Sequence, residues 1–214
     1  MPGETILFDL DGVLADSRAA IAGCINHALR HNGFPERPQA RLHRFIGPPL
    51  AAAFAELTRE PIDSAPVAAC VAAYRKHYAR VLVAETRPVP GMAPLLAGLT
   101  GRRPLGVATS KPLPFSERIL EALGLRSHFD VVAGPGLAAL AEDKSVTVAA
   151  ALGELRCAHG VMVGDRSFDV VAAHANGLAA IGVTWGIGSA NELATAGADV
   201  IVDTPAELAA ALSG

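Results

Sequence analysis

Six short apolar runs recur along the chain, each bounded by Gly, Pro or Asp. Their length and composition are typical of buried β-strands. The runs occupy residues 4–10, 104–110, 129–134, 160–165, 178–184 and 198–203. Apolar positions at helical spacing precede the second run, and others follow it and every later run; they lie at residues 92–100, 114–123, 144–155, 168–176, 191–196 and 206–212. Strands that alternate with helices predict an α/β fold with a Rossmann-like, doubly wound parallel sheet.

Residues 17–84 interrupt this alternation with a wholly helical pattern. Ser17 is suited to cap the first helix, and Gly33 could end it. Two further helical patterns cover residues 50–57 and 67–82. We therefore expect a core made of residues 1–16 and 85–214, with an all-helical cap domain inserted at residues 17–84.

The composition is typical of a folded domain and limits the classes of partner that we expect. Hydrophobic residues make up 51% of the 214 residues and charged residues 18%, which is enough apolar material to fill a core. The net charge of −3 offers no basic field, so we expect no nucleic acid polymer as a partner. No uninterrupted apolar run is long enough for a bilayer, so we expect no membrane partner.

The cysteines and the N-terminus indicate a cellular compartment. Cys24, Cys70 and Cys157 lie far apart without a CxxC pair, which is typical of reduced intracellular proteins. The N-terminus lacks the pattern of a signal peptide. We expect a cytoplasmic protein, and the alanine-rich helices of the cap are compatible with a monomer or a homodimer.

Asp9 and Asp11 flank Leu10 at the end of the first strand and precede Gly12. Residues i and i+2 of an extended segment point the same way, and Gly12 permits a sharp turn after them. Two carboxylates facing one site suit phosphoryl transfer. Asp9 would be the nucleophile, Mg²⁺ would shield the charge, and Asp11 would exchange protons. A solvated turn with two incidental acids fits the same pattern.

Two further places at or near the ends of later strands carry polar groups. Thr109, Ser110 and Lys111 end the second run, where a hydroxyl and backbone amides can hold a phosphoryl oxygen. A helix N-cap is the simpler interpretation of the same residues. Lys144 can neutralise a phosphoryl oxygen and Asp9, although most lysines are merely solvated. We expect Ser110, Lys111 and Gly12 to contact the substrate.

The segment GDRSFD adds two carboxylates to this edge of the sheet. Asp165 ends a strongly apolar run, and Asp169 follows four residues later at the start of a helical pattern. This spacing allows Asp165 to bind a metal and Asp169 to hold a metal-bound water or orient a lysine. A capped strand-to-helix turn is the alternative.

Taken in order, DLDGVLADS, ATSK, Lys144 and GDRSFD resemble the motifs of the haloacid-dehalogenase-like phosphatases over essentially the whole chain. The region after GDRSFD is similar to the phosphoglycolate phosphatase branch and its nucleotidase-like relatives. The resemblance implies that Asp9 is the nucleophile and a Mg²⁺ ligand. It also implies that Asp11 is the acid/base and that its backbone carbonyl binds the metal.

The same resemblance assigns roles to the later motifs. Thr109 and Lys144 would bind the phosphoryl group, Asp165 would bind the metal, and Asp169 would support the metal site. The cap would close over the substrate, which would be a small-molecule phosphate ester.

The segment FIGPPL at residues 45–50 is similar to the cap loop that meets the leaving group in this family. We therefore expect Arg44, Gly47 and Pro48 to lie near the substrate. Lys144 is followed by Ser-Val-Thr-Val, where phosphoglycolate phosphatases often have a proline-containing stretch, so a phosphoglycolate-like substrate is less firmly indicated. A 5′-nucleotidase, a sugar-phosphate phosphatase or a phosphomutase remain alternatives, as does a non-catalytic binding protein with this fold.

Overall fold

The strands form two sheets in the computed structural model, which describes residues 4–137 and 143–213. In chain order the strands are β1 (Thr5–Phe8), β2 (Ala15–Asp16), β3 (Arg87–Pro88), β4 (Leu105–Ala108), β5 (Val131–Ala133), β6 (Gly160–Gly164), β7 (Ala179–Val183) and β8 (Val200–Val202). The larger sheet has six strands, all parallel, in the order β5-β4-β1-β6-β7-β8. Each of its strands falls within one of the predicted apolar runs.

Helices cover both faces of this sheet and fill the segment between β2 and β3. In chain order they are α1 (Arg18–His31), α2 (Gln39–Leu42), α3 (Leu50–Thr58), α4 (Ala65–Glu85), α5 (Met92–Leu99), α6 (Leu113–Ala122), α7 (Lys144–Leu155), α8 (Ser167–Ala175), α9 (Ala190–Ala196) and α10 (Pro205–Ser213). Short 3₁₀ helices cover His43–Phe45 and Arg126–His128. The predicted α/β class, with a doubly wound sheet and an inserted helical cap, is confirmed.

The side chains of β1 point alternately to two apolar layers, as a fully buried strand requires. Ile6 and Phe8 belong to a cluster that continues into the cap helices, whereas Leu7 belongs to a cluster under α7 and α8. Both faces of the central strand are therefore covered. The carboxyl end of β1 lies between those of β4 and β6, where parallel sheets bind ligands.

The first cap helix ends as the sequence predicts. Gly33 has φ +78°, and the Phe34 N–H donates to the Leu29 carbonyl at 2.9 Å, which satisfies one of the last carbonyls of α1. Helix α4 packs along α1 and α3. Ser17 occupies the N-cap position of α1, but its side chain makes no capping hydrogen bond. The predicted capping role of its hydroxyl is therefore wrong.

The two chain segments that connect core and cap pair with each other. Strands β2 and β3 are antiparallel, with Ala15 opposite Pro88 and Asp16 opposite Arg87. Two-residue strands that contain a proline carry no periodic signal, so this pair was not predicted. The division into domains at residues 17 and 84 stays a prediction. Among the described helices, none combines the length and the apolar character that crossing a membrane requires.

Candidate active site

The turn after β1 brings the first two carboxylates to the edge of the sheet. The Asp9 N–H donates to the Val163 carbonyl of β6 at 2.9 Å, which continues the ladder of hydrogen bonds beyond β1. The chain then turns at Gly12, which has φ +90°. A Cβ atom at Gly12 would lie 2.2 Å from Asp165 Oδ2, so only glycine fits this approach.

Gly12 therefore has a different environment from the one expected for a substrate contact. Its N–H donates to the Ala15 carbonyl at 2.8 Å, and the residue does not line the cleft described below. Its contribution is to let the β1 turn pack directly against Asp165.

Three buried carboxylates meet beside this turn. Asp9, Asp165 and Asp169 each offer an oxygen within 4.8 Å of the others. Asp165 Oδ2 accepts from the Ile187 N–H at 2.7 Å, whereas Asp165 Oδ1 is buried and has no partner in the described part of the chain. Burial, together with the charges of Asp169 and Asp9, raises the pKa of Asp165 well above its usual range. A buried oxygen without a donor, among acids held this close, fits a divalent cation with oxygen ligands.

Lys144, the first residue of α7, compensates part of this negative charge. Its Nζ lies 2.8 Å from Asp9 Oδ1 and also contacts Asp169 Oδ1. These are ion pairs, and neither carboxylate oxygen accepts an aligned hydrogen bond. Burial alone would lower the pKa of Lys144, but Asp169 and Asp9 together raise it above its ordinary value, so the ammonium stays charged.

Asp169 holds the loop that carries Asp165. Its Oδ2 accepts from the N–H groups of Asp165 at 3.0 Å and Arg166 at 2.9 Å. A Cβ atom at Gly164 would lie 2.1 Å from Asp169 Cβ, so this close packing also depends on a glycine. One Asp169 oxygen orders the loop, and the other faces Lys144.

Asp11 lies apart from the acidic cluster. Its Oδ1 accepts from the Ser17 hydroxyl at 2.5 Å, and its Oδ2 lies 2.9 Å from Lys111 Nζ. The Lys111 ammonium also donates to the hydroxyl of Tyr78, on cap helix α4, at 2.5 Å. The carboxylates of Asp9 and Asp11 thus have different partners, which is the separation that a nucleophile and an acid/base require.

The loop after β4 forms the other side of the site. Thr109 is buried, and its Oγ1 accepts from the Lys111 N–H at 3.2 Å. Thr109, Ser110 and Lys111 all line one cleft, together with Asp9, Asp11, Lys144, Asp165 and Asp169. The structure therefore brings together the predicted residues of the four motifs, apart from Gly12.

The cap loop contributes two of its three expected residues. Gly47 and Pro48 line the cleft. Arg44 does not: its exposed side chain pairs with Glu56 and lies over the ring of Phe45. Arg44 belongs to the 3₁₀ turn at residues 43–45, and its guanidinium pairs with the Glu56 carboxylate at the surface instead.

The sequence analysis gave no role in the site to three residues that hydrogen-bond around it: Ser17, Tyr78 and Arg166. Arg166 Nη1 donates to the Ile46 carbonyl of the cap at 2.5 Å, and its Nε pairs with Glu192 at 2.9 Å. Arg166 and Ser17 lie inside quoted motifs, so their positions gave a signal. Tyr78 gave none, because it is one apolar position of a long helix.

The fold places a buried acidic cluster, which could hold a divalent cation, at the carboxyl edge of the parallel sheet of an α/β protein. The family model described as "Haloacid dehalogenase-like hydrolase" matches residues 6–183. The chain belongs to this family and is a hydrolase. The family predicted from the motifs is confirmed.

Relatives of known name cover nearly the whole chain. A probable phosphatase, IndB, from Dickeya dadantii is 35% identical over 96% of this chain and 92% of its own length. A 5′-nucleotidase from Pseudomonas aeruginosa is 38% identical over 88% of this chain and 86% of its own. The crystal structure of a predicted phosphatase from Clostridium acetobutylicum superposes with a TM-score of 0.92 and 33% identity, covering 100% of this chain and 99% of that chain.

Proposed function

We propose that the chain is a Mg²⁺-dependent phosphatase that hydrolyses a small-molecule phosphate monoester through a phosphoaspartate on Asp9. The observation that carries this proposal is the buried group of Asp9, Asp165 and Asp169 beside Lys144, with Asp165 Oδ1 lacking a partner in the described chain. The names of the relatives, a probable phosphatase and a 5′-nucleotidase, support the same reaction class.

Each site residue has a separate role in the first half-reaction, which transfers the phosphoryl group to Asp9. A carboxylate oxygen of Asp9 attacks phosphorus, and the bond from phosphorus to the leaving oxygen breaks. Asp11, protonated for this step, gives its proton to that oxygen. Lys144 and the Thr109 hydroxyl hold phosphoryl oxygens. Bound Mg²⁺, held by Asp9, Asp165 and the Asp11 carbonyl with Asp169 in support, would supply positive charge against the phosphoryl group.

The second half-reaction returns the enzyme to its starting state. Asp11, now a carboxylate, takes a proton from water. The water oxygen attacks phosphorus, and the bond between phosphorus and Asp9 breaks. Inorganic phosphate leaves, and Asp11 is again protonated for the next cycle. The partners of Asp11, Ser17 and Lys111, keep its carboxylate apart from the acidic cluster throughout.

The test is hydrolysis of an aryl phosphate with Mg²⁺, with and without a chelator. We expect activity that chelation abolishes and excess Mg²⁺ restores. Asp9→Asn should lower turnover by about 10³-fold or more while leaving thermal unfolding nearly unchanged. Asp63→Asn, at an exposed aspartate of the cap segment, is the matched control and should keep full activity. Full turnover by Asp9→Asn would contradict the covalent mechanism.

The first esters to compare are phosphoglycolate, which the motifs suggest, and a nucleoside 5′-monophosphate, which the Pseudomonas aeruginosa relative suggests. Sugar phosphates belong in the same panel, and transfer of the phosphoryl group to a second sugar would indicate a phosphomutase. An absence of turnover across the panel would favour a non-catalytic binding protein.

A further inference from the structure

Apart from its charged residues, the cleft is lined mainly by apolar side chains, which form its apolar wall. Most of its cap side is aliphatic or aromatic: Phe45, Ile46, Pro48, Pro49, Leu50 and Tyr74. The core adds Phe115 and Pro135. Since Asp9 and Lys144 belong to the phosphoryl end, this wall is the surface that the leaving group meets.

An ordered set of rings forms one side of this wall. Tyr74 and Tyr78 stack with centroids 5.4 Å apart, and Tyr78 meets Phe115 edge to face at 5.5 Å. Burial raises the pKa of both tyrosines, so the phenols are neutral. The Tyr78 hydroxyl already accepts from Lys111. The rings themselves therefore offer apolar surface and carry no charge.

Phe168 supplies an exposed ring on the core side of the cleft. It lies in the first turn of α8 and is 46% exposed, although it lines the cleft. Its ring approaches Gly47 of the cap loop, and the Arg166 guanidinium lies 5.5 Å from the ring centroid. An apolar ligand that covered this ring would remove it from water, which is favourable in proportion to the area buried.

The cations that line the described cleft are already engaged within the protein. Lys144 pairs with Asp9 and Asp169, Lys111 with Asp11, and Arg166 with Glu192. Arg75 also has an interaction partner. A second anionic group on the leaving alcohol would have to compete with these carboxylates for a cation or lie against apolar surface without a counter-charge, and both are unfavourable.

We infer that the substrate is the phosphate monoester of an uncharged, apolar alcohol that carries an aromatic ring. This inference rests on the proposed phosphatase function and narrows it. It departs from the phosphoglycolate-like ester that the sequence motifs suggest, because a glycolate carboxylate would face the aromatic wall. It also disfavours polyols, whose hydroxyl groups need hydrogen-bond partners that this wall does not offer.

The experiment compares alkyl esters whose leaving alcohols have similar chemical reactivity, so that kcat/KM reports contacts with the cleft. We would measure 2-phenylethyl phosphate, phosphoglycolate, glycerol phosphate and a nucleoside 5′-monophosphate with Mg²⁺. The phenylethyl ester should exceed each of the others by about tenfold or more. A preference for phosphoglycolate, glycerol phosphate or the nucleotide would overturn the inference.

Phe168 provides the matched variants. Phe168→Ala should lower kcat/KM for 2-phenylethyl phosphate by about fivefold or more, mainly through KM, and should lower that for phosphoglycolate less. Phe168→Leu, which keeps apolar surface, should recover most of the loss. Equal losses for both esters would contradict a contact between this ring and the leaving group.

Binding to the Asp9→Asn protein separates this inference from the phosphatase proposal. We would measure Kd for the same esters, with inorganic phosphate as the reference. Tighter binding of the phenylethyl ester than of phosphoglycolate would support the inference even if no ester is hydrolysed. In that case the proposed reaction would be refuted, but the proposed class of leaving group would stand. Equal or reversed affinities would overturn the inference even if hydrolysis is observed.

Discussion

The Lys111 ammonium lies 2.5 Å from the Tyr78 hydroxyl, so the loop after β4 is bonded directly to cap helix α4 across the cleft. The same ammonium lies 2.9 Å from Asp11 Oδ2. One lysine thus connects the cap to the carboxylate that we propose as the acid/base. The position of the cap and the position of Asp11 are physically coupled through this group.

Removing the Tyr78 hydroxyl tests that coupling. Tyr78→Phe keeps the ring in its stack but leaves the Lys111 ammonium with one partner fewer in a buried place, so we expect kcat/KM to fall by about threefold to tenfold. Steady-state kinetics and thermal unfolding would be measured together. Tyr74→Phe is the matched control, since Tyr74 stacks on Tyr78 while the ammonium of Lys111 donates to the Tyr78 hydroxyl, and it should change activity less. An equal effect of the two variants would argue against a specific role for the Tyr78 hydroxyl.

A second link between core and cap runs through Arg166. Its guanidinium donates to the Ile46 carbonyl beside Gly47 and Pro48, which line the cleft. Arg166→Met should release this loop and raise KM by about fivefold or more, with a smaller change in kcat. Arg118→Met is the control, because Arg118 also donates to a cap carbonyl, that of Ala79, at 3.0 Å, but from an exposed position outside the cleft. If both variants raise KM equally, the loop contact has no special importance.

The carboxylates that would bind the metal should also destabilise the fold when no metal is bound. Without a cation, Asp9, Asp165 and Asp169 repel one another in a buried site. Asp165→Asn should therefore raise the Tm of the chelator-treated protein, while Mg²⁺ should raise the Tm of the original chain and not that of the variant. Thermal unfolding with Mg²⁺ or with chelator checks both parts. A Mg²⁺-dependent shift of equal size in the variant would show that the ion binds elsewhere.

The cysteines give a prediction about pH and reactivity. Burial, with Glu85 nearby, raises the pKa of the Cys24 thiol from 9.0 to about 12, and burial also raises that of Cys70. The unfolded chain then loses the Cys24 proton at a lower pH than the folded chain does. Because the folded state binds more protons in that window, the free energy of unfolding should fall as pH rises from about 9 to about 12.

The same pKa shifts predict the order of thiol modification. At pH 8, a disulfide reagent should modify half-buried Cys157 quickly and the two buried thiols slowly, and denaturant should expose all three cysteines. The absorbance of the thiolate released from the reagent measures how many cysteines have reacted. Cys157→Ser should remove the fast phase. Rapid modification of Cys24 in the folded protein would contradict its burial.

Local patterns were enough for most of the architecture. Apolar runs and helical spacing located the six parallel strands and the longer helices, because burial and backbone geometry impose those periods on the sequence. Short elements such as α2 and the β2–β3 pair were not predicted, because two to four residues are too few to display a period. The motif spacing also placed Asp9, Lys144 and Asp165 at one edge, because parallel strands end there.

The sequence by itself thus determined the fold class, the family and the acidic residues of the site, all of which depend on local pattern and short motifs. The tertiary structure decided which side chains meet across long separations. Arg166 donates to a carbonyl 120 positions away, and Lys111 donates to a tyrosine hydroxyl 33 positions away. It also showed that the Ser17 hydroxyl donates to Asp11 and does not cap the helix, and it placed Arg44 outside the cleft. No local period encodes such contacts, because they depend on how the cap packs against the sheet.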